Sequence, residues 1–147
     1  MGLYDFGLYD VIGRNAEVYC DRPAWLNHDQ DTPFTFAQVK QRVDRLAQSL
    51  RDLGCGKGDR VGIMGKNSLE YFLVFGAAAA LGAIVVAVNW RLSAAEAAYV
   101  LDDGSPVCVL ADNDNPRWAE DVRSQMAIRC RFFNLLAGQG PFEDIPA

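Results

Sequence analysis

The chain has 147 residues, half of them hydrophobic, and a formal net charge of -5. That length suits one domain with a sizeable core rather than a disordered tail, and an acidic balance without any run of lysine or arginine excludes a nucleic-acid footprint. Four widely spaced cysteines and one histidine spell neither a zinc site nor a redox pair, so Cys20, Cys55, Cys108 and Cys130 read as reduced thiols of a cytoplasmic protein.

The opening MGLYDFGLYD has acids and no basic segment, so it is not a secretory signal. Its two GLYD copies are too short an echo for a structural repeat. Leu8, Val11, Ile12, Val18 and Tyr19 share a helical face, and the helix should stop before Asp21-Arg22-Pro23. Ala24 to Asn27 and Pro33 to Thr35 then suit a small hairpin around His28-Asp29-Gln30-Asp31, with His28 solvated because no Ser or Cys nearby pairs with it. Residues 1–35 form this helix-and-hairpin portion.

Thr35 and Gln38 spell a capping box, and Phe36, Val39, Val43, Leu46, Leu50 and Leu53 recur at helical spacing among charged residues. Gly54 ends that helix. The following GCGKGD looks like a dinucleotide fingerprint but falls after a helix and before a strand, the wrong end of a sheet for phosphate binding. GIMGKNS fails as a P-loop too, with Arg60 and Asn67 where Gly and Ser or Thr are needed. Arg60 to Met64 is a strand, Asn67 with Glu70 suits a helix cap, and Lys66 is either solvated or turned to an anion.

From Leu69 to Asp103 the residue types change at Gly82. Alanines and aromatics before it favour a helix, while Ile84, Val85, Val86 and Val88 favour a strand. Nothing between Glu70 and Arg91 is charged, which raises a membrane span as the competing reading, but four alanines, two glycines and the β-branched half argue against it. After Val88 comes polar Asn89-Trp90-Arg91, and Ser93 with Glu96 spells another capping box. Pro106 to Leu110 is a further strand, Pro116 opens a helix through Trp118, Val122 and Met126, and Arg129 to Leu135 is a last strand. Strands alternating with helices over residues 36–136 predict an α/β fold: right-handed βαβ units in a mostly parallel, Rossmann-like sheet with helices on both faces. Residues 137–147 show no periodicity and read as a tail that covers nothing.

Three loops, Gly65 to Asn67, Asn89 to Leu92 and Ala111 to Pro116, should meet at the carboxyl edge of that sheet, where such folds bind ligands. Arg91 is the leading candidate, because a guanidinium beside a helix amino end suits a phosphate. A salt bridge to a neighbouring acid is the alternative, and for Trp90 a purely structural role. Arg117 lies on the adjacent loop.

The order GAIVVAVNWRLSAAEAAYVLDD, preceded by FTFAQVKQRVDRLAQSLRDLGCGKGDRVGIMGKN, resembles the amino-terminal part of the adenylate-forming acyl-CoA synthetases. The family often has proline two places before the asparagine, where this chain has Ala87. The resemblance implies a partial adenylate-forming amino-terminal domain whose parent enzyme uses ATP with Mg, CoA and a small-molecule carboxylate to make acyl-CoA, AMP and pyrophosphate. It implies that Arg91 of the N-x-R-L motif that begins at Asn89 approaches the nucleotide phosphates of CoA; beside it Trp90 is a candidate to pack against adenine, and Arg117 on the neighbouring loop is a weaker candidate of the same kind. The family's phosphate loop, ribose-binding aspartate and mobile-domain lysine have no counterpart here. The chain alone should therefore be inactive, and apolar surface left open should drive self-association. Two other readings stay open: a stand-alone module binding CoA or a similar anion, and a structural interaction domain.

Overall fold

The computed structural model describes residues 6–26 and 33–145. His28 and the first GLYD copy lie outside the described residues. In chain order the elements are α1 (Leu8–Val18), β1 (Pro23–Trp25), β2 (Phe34–Thr35), α2 (Phe36–Asp52), β3 (Arg60–Met64), α3 (Leu69–Leu81), β4 (Ile84–Val88), α4 (Ala94–Gly104), β5 (Cys108–Ala111), α5 (Pro116–Gln125), β6 (Arg131–Asn134) and β7 (Glu143–Asp144). β1 and β2 pair antiparallel as the small hairpin, and the other five strands form one sheet in the order β4-β3-β5-β6-β7 with every pairing parallel.

Alternation of side chains along each strand sends successive residues to opposite faces and so makes two cores. Val61, Ile63, Leu110 and Phe133 pack with Leu50 of α2 and Val74 and Ala77 of α3. Their neighbours Met64, Val109 and Phe132 pack with Ala97 and Leu101 of α4 and Val122 of α5. Helices thus cover both faces, as the strand runs predicted. Phe133, Leu50, Ile63 and Leu101 are fully enclosed; each stabilises the fold by about 1.5–3 kcal/mol relative to an exposed side chain. A third cluster of Ile12, Val39, Val43, Leu69 and Leu73 joins α1 and the hairpin to the outside of α2 and α3.

The change of structure at Gly82 is a left-handed residue, φ 69°, which stops α3 after 13 residues before β4 begins. Residues 72–88 are therefore not one rod, and no helix of the described residues is long and apolar enough to cross a membrane.

Two expectations need correction. Ser68, not Asn67, caps α3: its extended backbone lets Oγ accept from Tyr71 N at 3.1 Å, one residue before fully buried Leu69 enters the core. The segment after residue 137 is not a bare tail, because Glu143–Asp144 pairs parallel with β6 and Phe142 packs on Phe132 at 5.1 Å. The link is buried Asn134, whose Nδ2 donates to Phe142 O at 2.7 Å and Asp144 Oδ1 at 2.8 Å.

Candidate functional site

Chain order fixes where a ligand can sit. From β3 the chain goes to β4 on one side and then crosses to β5 on the other, so β3 and β5 bound a topological switch point, and their carboxyl ends open a crevice. Gly65 and Lys66 leave β3 there, and Asp112 leaves β5. The Lys66 N–H donates to Asp112 Oδ2 at 2.7 Å, and Asp114 N donates to Asp112 Oδ1 at 3.2 Å, so one carboxylate ties both loops. Gly65 is needed for this closeness: at φ +157°, a Cβ there would stand 2.5 Å from Asp112 Oδ2.

The loop after β4 comes to the same place. Asn89 turns it, with Oδ1 accepting from Arg91 N at 3.0 Å and the carbonyl from Leu92 N at 3.1 Å. Trp118 in the first turns of α5 donates Nε1–H to Leu92 O at 2.9 Å, which fastens the loop to the next helix. Lys66, Trp90, Asp112, Asp114, Asn115 and Trp118 line a cleft of about 170 Å³.

Charge is arranged around Trp90. Arg91 Cζ lies 4.4 Å and Lys66 Nζ 5.1 Å from the centre of its ring, distances at which a cation is attracted to an indole face. Lys66 Nζ also pairs with Asp114 Oδ2 at 2.8 Å, and that hydrogen bond, with the carboxylate's charge, raises the lysine's pKa above its ordinary value. Arg91 is exposed, and no carboxylate among the described residues forms an ion pair with it. The salt-bridge alternative for Arg91 is therefore not what the described residues show. Directly beyond it Ser93 and Glu96 complete their capping box, in which two hydrogen bonds from Ser93, the side-chain one foremost, hold the Glu96 carboxyl below its usual range.

The three predicted loops meet as expected, and Asn89, Trp90 and Arg91 form one exposed turn among them. Of the four predicted site residues only Trp90 lines the cleft: Asn89 and Arg91 stand on the exposed turn beside it, and Arg117 is exposed in the first turn of α5. Sequence reasoning singled out neither Asp112 nor Asp114, and gave Trp118 no role beyond helical spacing. Asp112 could have been found as the first polar residue after a buried strand, and Trp118 as an indole whose N–H requires a partner once half-buried.

An exposed guanidinium lying over an indole can meet an anion. Among the described residues no three His, Cys, Asp or Glu side chains converge as a metal site would require.

A doubly wound parallel sheet with cationic and aromatic loops at its switch point defines a nucleotide-binding class of α/β protein. The pattern of the AMP-binding enzymes matches residues 12–136, and the chain belongs to that family. It is 34% identical over 115 residues to the long-chain-fatty-acid–CoA ligase FadD13 of Mycobacterium tuberculosis, covering 78% of this chain and 23% of that protein. It is 41% identical over 95 residues to the mitochondrial medium-chain acyl-CoA ligase ACSF2 of Bos taurus, covering 62% of this chain and 15% of that one. Among solved structures, a protein of Rhodopseudomonas palustris CGA009 described as a long-chain-fatty-acid CoA ligase superposes with a TM-score of 0.85 at 36% identity, over 98% of this chain and 36% of its own. The chain thus spans under a quarter of these curated relatives and corresponds to the amino-terminal part of the acyl-CoA ligases. Family membership implies ATP use by the parent enzymes.

Proposed function

We propose that this chain supplies the amino-terminal portion of a cytoplasmic, ATP-dependent, AMP-forming acyl-CoA synthetase, and that its Arg91 edge receives the nucleotide phosphates of CoA. The observation that carries the reading is the guanidinium itself: exposed, stacked on Trp90, fixed by the Asn89 turn, and without an ion-pair partner among the described residues. A charge-assisted contact of this kind contributes roughly 1.5–3 kcal/mol, so Arg91→Ala should weaken CoA binding by about tenfold or more in a calorimetric titration. Equal affinities would remove Arg91 from the site. The names of the relatives favour a fatty acid as the carboxylate.

Alone, the chain is expected not to adenylate, because the family's phosphate loop and mobile-domain lysine, which stabilise charge developing on the α-phosphate, have no counterpart in its sequence. Exchange of labelled pyrophosphate into ATP by the 147-residue chain, with a carboxylic acid present, would show otherwise. The second reading, a stand-alone module that holds CoA without chemistry, is favoured by the fact that all three loops at the cleft come from this one chain. It gains if CoA binds and a longer chain continuing past Ala147 still shows no exchange. Phe6, Leu8, Val11 and Val18 expose apolar surface around α1, through which the chain self-associates; light scattering should show more than a monomer.

A further inference from the structure

Lys66 stands beside the Arg91 edge but is occupied. Its Nζ is 2.8 Å from Asp114 Oδ2 and 5.1 Å from the centre of the Trp90 ring, the same ring that Arg91 overlies at 4.4 Å. The two cationic groups therefore share one aromatic platform, and their separation cannot exceed the sum of those two distances. One polyanion can reach both.

The two cations differ in what holds them. Arg91 leans on the indole and has no carboxylate among the described residues, whereas Lys66 is neutralised by Asp114, with Asp112 adding further negative charge. Lys66 and Asp114 are both about half exposed, at 53% and 57% of their side chains, so their pair is a surface ion pair of small net strength. A phosphate arriving at Trp90 offers Lys66 a doubly charged competitor for the same three ammonium donors. Exchange of partner costs little and requires only rotation of a flexible side chain. Asp112 stays where it is, since its two oxygens bind backbone N–H groups of both loops rather than the ammonium.

We propose that Lys66 is a second anion-contacting residue of this site, kept by Asp114 while the site is free and transferred to a phosphate of the bound ligand. The ligand class is a nucleotide with more than one phosphate group, because a single phosphate satisfied by Arg91 would leave Lys66 on Asp114. This rests on the reading of Arg91 as a phosphate contact. It goes further in giving Asp114 a role: the carboxylate sets the affinity of the site by competing for Lys66.

The test is a double-mutant cycle on the 147-residue chain, with CoA as the probe in calorimetry at low ionic strength. Asp114→Asn should tighten CoA binding by about threefold to tenfold, and Lys66→Gln should weaken it by a similar factor. In the double variant the gain from Asp114→Asn should disappear, leaving the affinity of Lys66→Gln alone. Persistence of the full gain without Lys66 would mean that Asp114 acts only through its general field, and the transfer would be overturned. Unchanged affinity in Lys66→Gln, or no CoA binding by any chain, would overturn it as well. Arg91→Ala is run beside the cycle: if it binds like the parent while the Lys66 and Asp114 coupling remains, the Arg91 assignment fails and takes with it the ligand class of more than one phosphate, while the transfer of Lys66 from Asp114 to the ligand stands. All these side chains are exposed, so unchanged thermal midpoints are expected.

Discussion

The two ends of the parallel sheet are closed by the same means but present different side chains. At the amino end Gly58 N donates to Gly82 O at 2.9 Å, and Ile84 N to Asp59 O and Val107 N to Arg60 O, both at 2.8 Å. Side chains there add Arg60 Nε donating to Gly104 O at 2.6 Å and the Asp102 carboxylate accepting from Ala127 N and Ile128 N. At the carboxyl end Asp112 N donates to Met64 O and Leu135 N to Ala111 O, both at 2.8 Å, and side chains add the ties through Asp112, Asn89, Trp118 and the Lys66–Asp114 pair. Arg60 at the amino end is bonded to a backbone carbonyl, whereas Arg91 at the carboxyl end lies over Trp90 and is presented to solvent. A contact for an anion therefore belongs to the carboxyl end.

Breaking that contrast most severely should be Gly65→Ala. The new methyl would meet three Asp112 side-chain atoms at 2.5, 2.7 and 2.9 Å, on a backbone with φ +157°. A loss of about 2–3 kcal/mol in urea denaturation is expected, together with weaker CoA binding as Asp112 is displaced. Gly58 at the amino end gives the control: its φ is +86°, but nothing lies within 4 Å of a Cβ there. Gly58→Ala should therefore cost only the left-handed strain of about 1–2 kcal/mol and leave binding unchanged. If both variants lost CoA alike, the two edges would not be distinct.

Thiols sharpen the same comparison. Burial, with minor help from the neighbouring thiols of Cys55 and Cys130, pushes Cys108 up to about 12 at the amino end of β5. It is a neutral core thiol at ordinary pH, as its strand position suggested, and should react with iodoacetamide only at the rate of unfolding, whereas exposed Cys20 reacts at once. The folded pKa is raised, so the stability that this group contributes is complete below the unfolded value near 9 and is lost as pH rises through about 12. Rapid alkylation of Cys108 in the folded chain would show that the amino end opens.

Much of this was readable beforehand because the signals are local. Arg60–Met64 and Ile84–Val88 are strands over the residues at which β-branched and apolar runs begin and stop, and Thr35 and Ser93 cap their helices through the boxes that their spacing announces. The β7 strand was illegible because Glu143–Asp144 is polar and exposed; it is held by Asn134, eight to ten residues earlier, through contacts that no periodicity encodes. Asp112 and Asp114 look like solvated turn acids until strand order places them across from Lys66. The placement of the Asn89–Arg91 turn at the carboxyl edge was legible, and the residues that brace it were not, since bracing is a long-range property.

The smallest expected effect isolates the cap beneath that turn. Ser93 Oγ accepts from Glu96 N at 3.3 Å, and Glu96 Oε2 accepts from Ser93 N at 2.9 Å and from Ser93 Oγ at 2.7 Å. Ser93→Ala removes one half of this box and should cost about 1 kcal/mol. These bonds lower the folded pKa of Glu96, so its contribution is present above the unfolded value of 4.5 and fades as pH falls through the lower folded one. Glu96→Gln should flatten that acid limb in a pH series of thermal midpoints, and Ser93→Ala should flatten it partly. Because the cap orients the first turn of α4 beside Arg91, Ser93→Ala should also weaken CoA binding, but less than Arg91→Ala does. Were the cap to matter for stability and not at all for binding, the helix amino end would lie outside the ligand's reach, leaving the anion to the side chains alone.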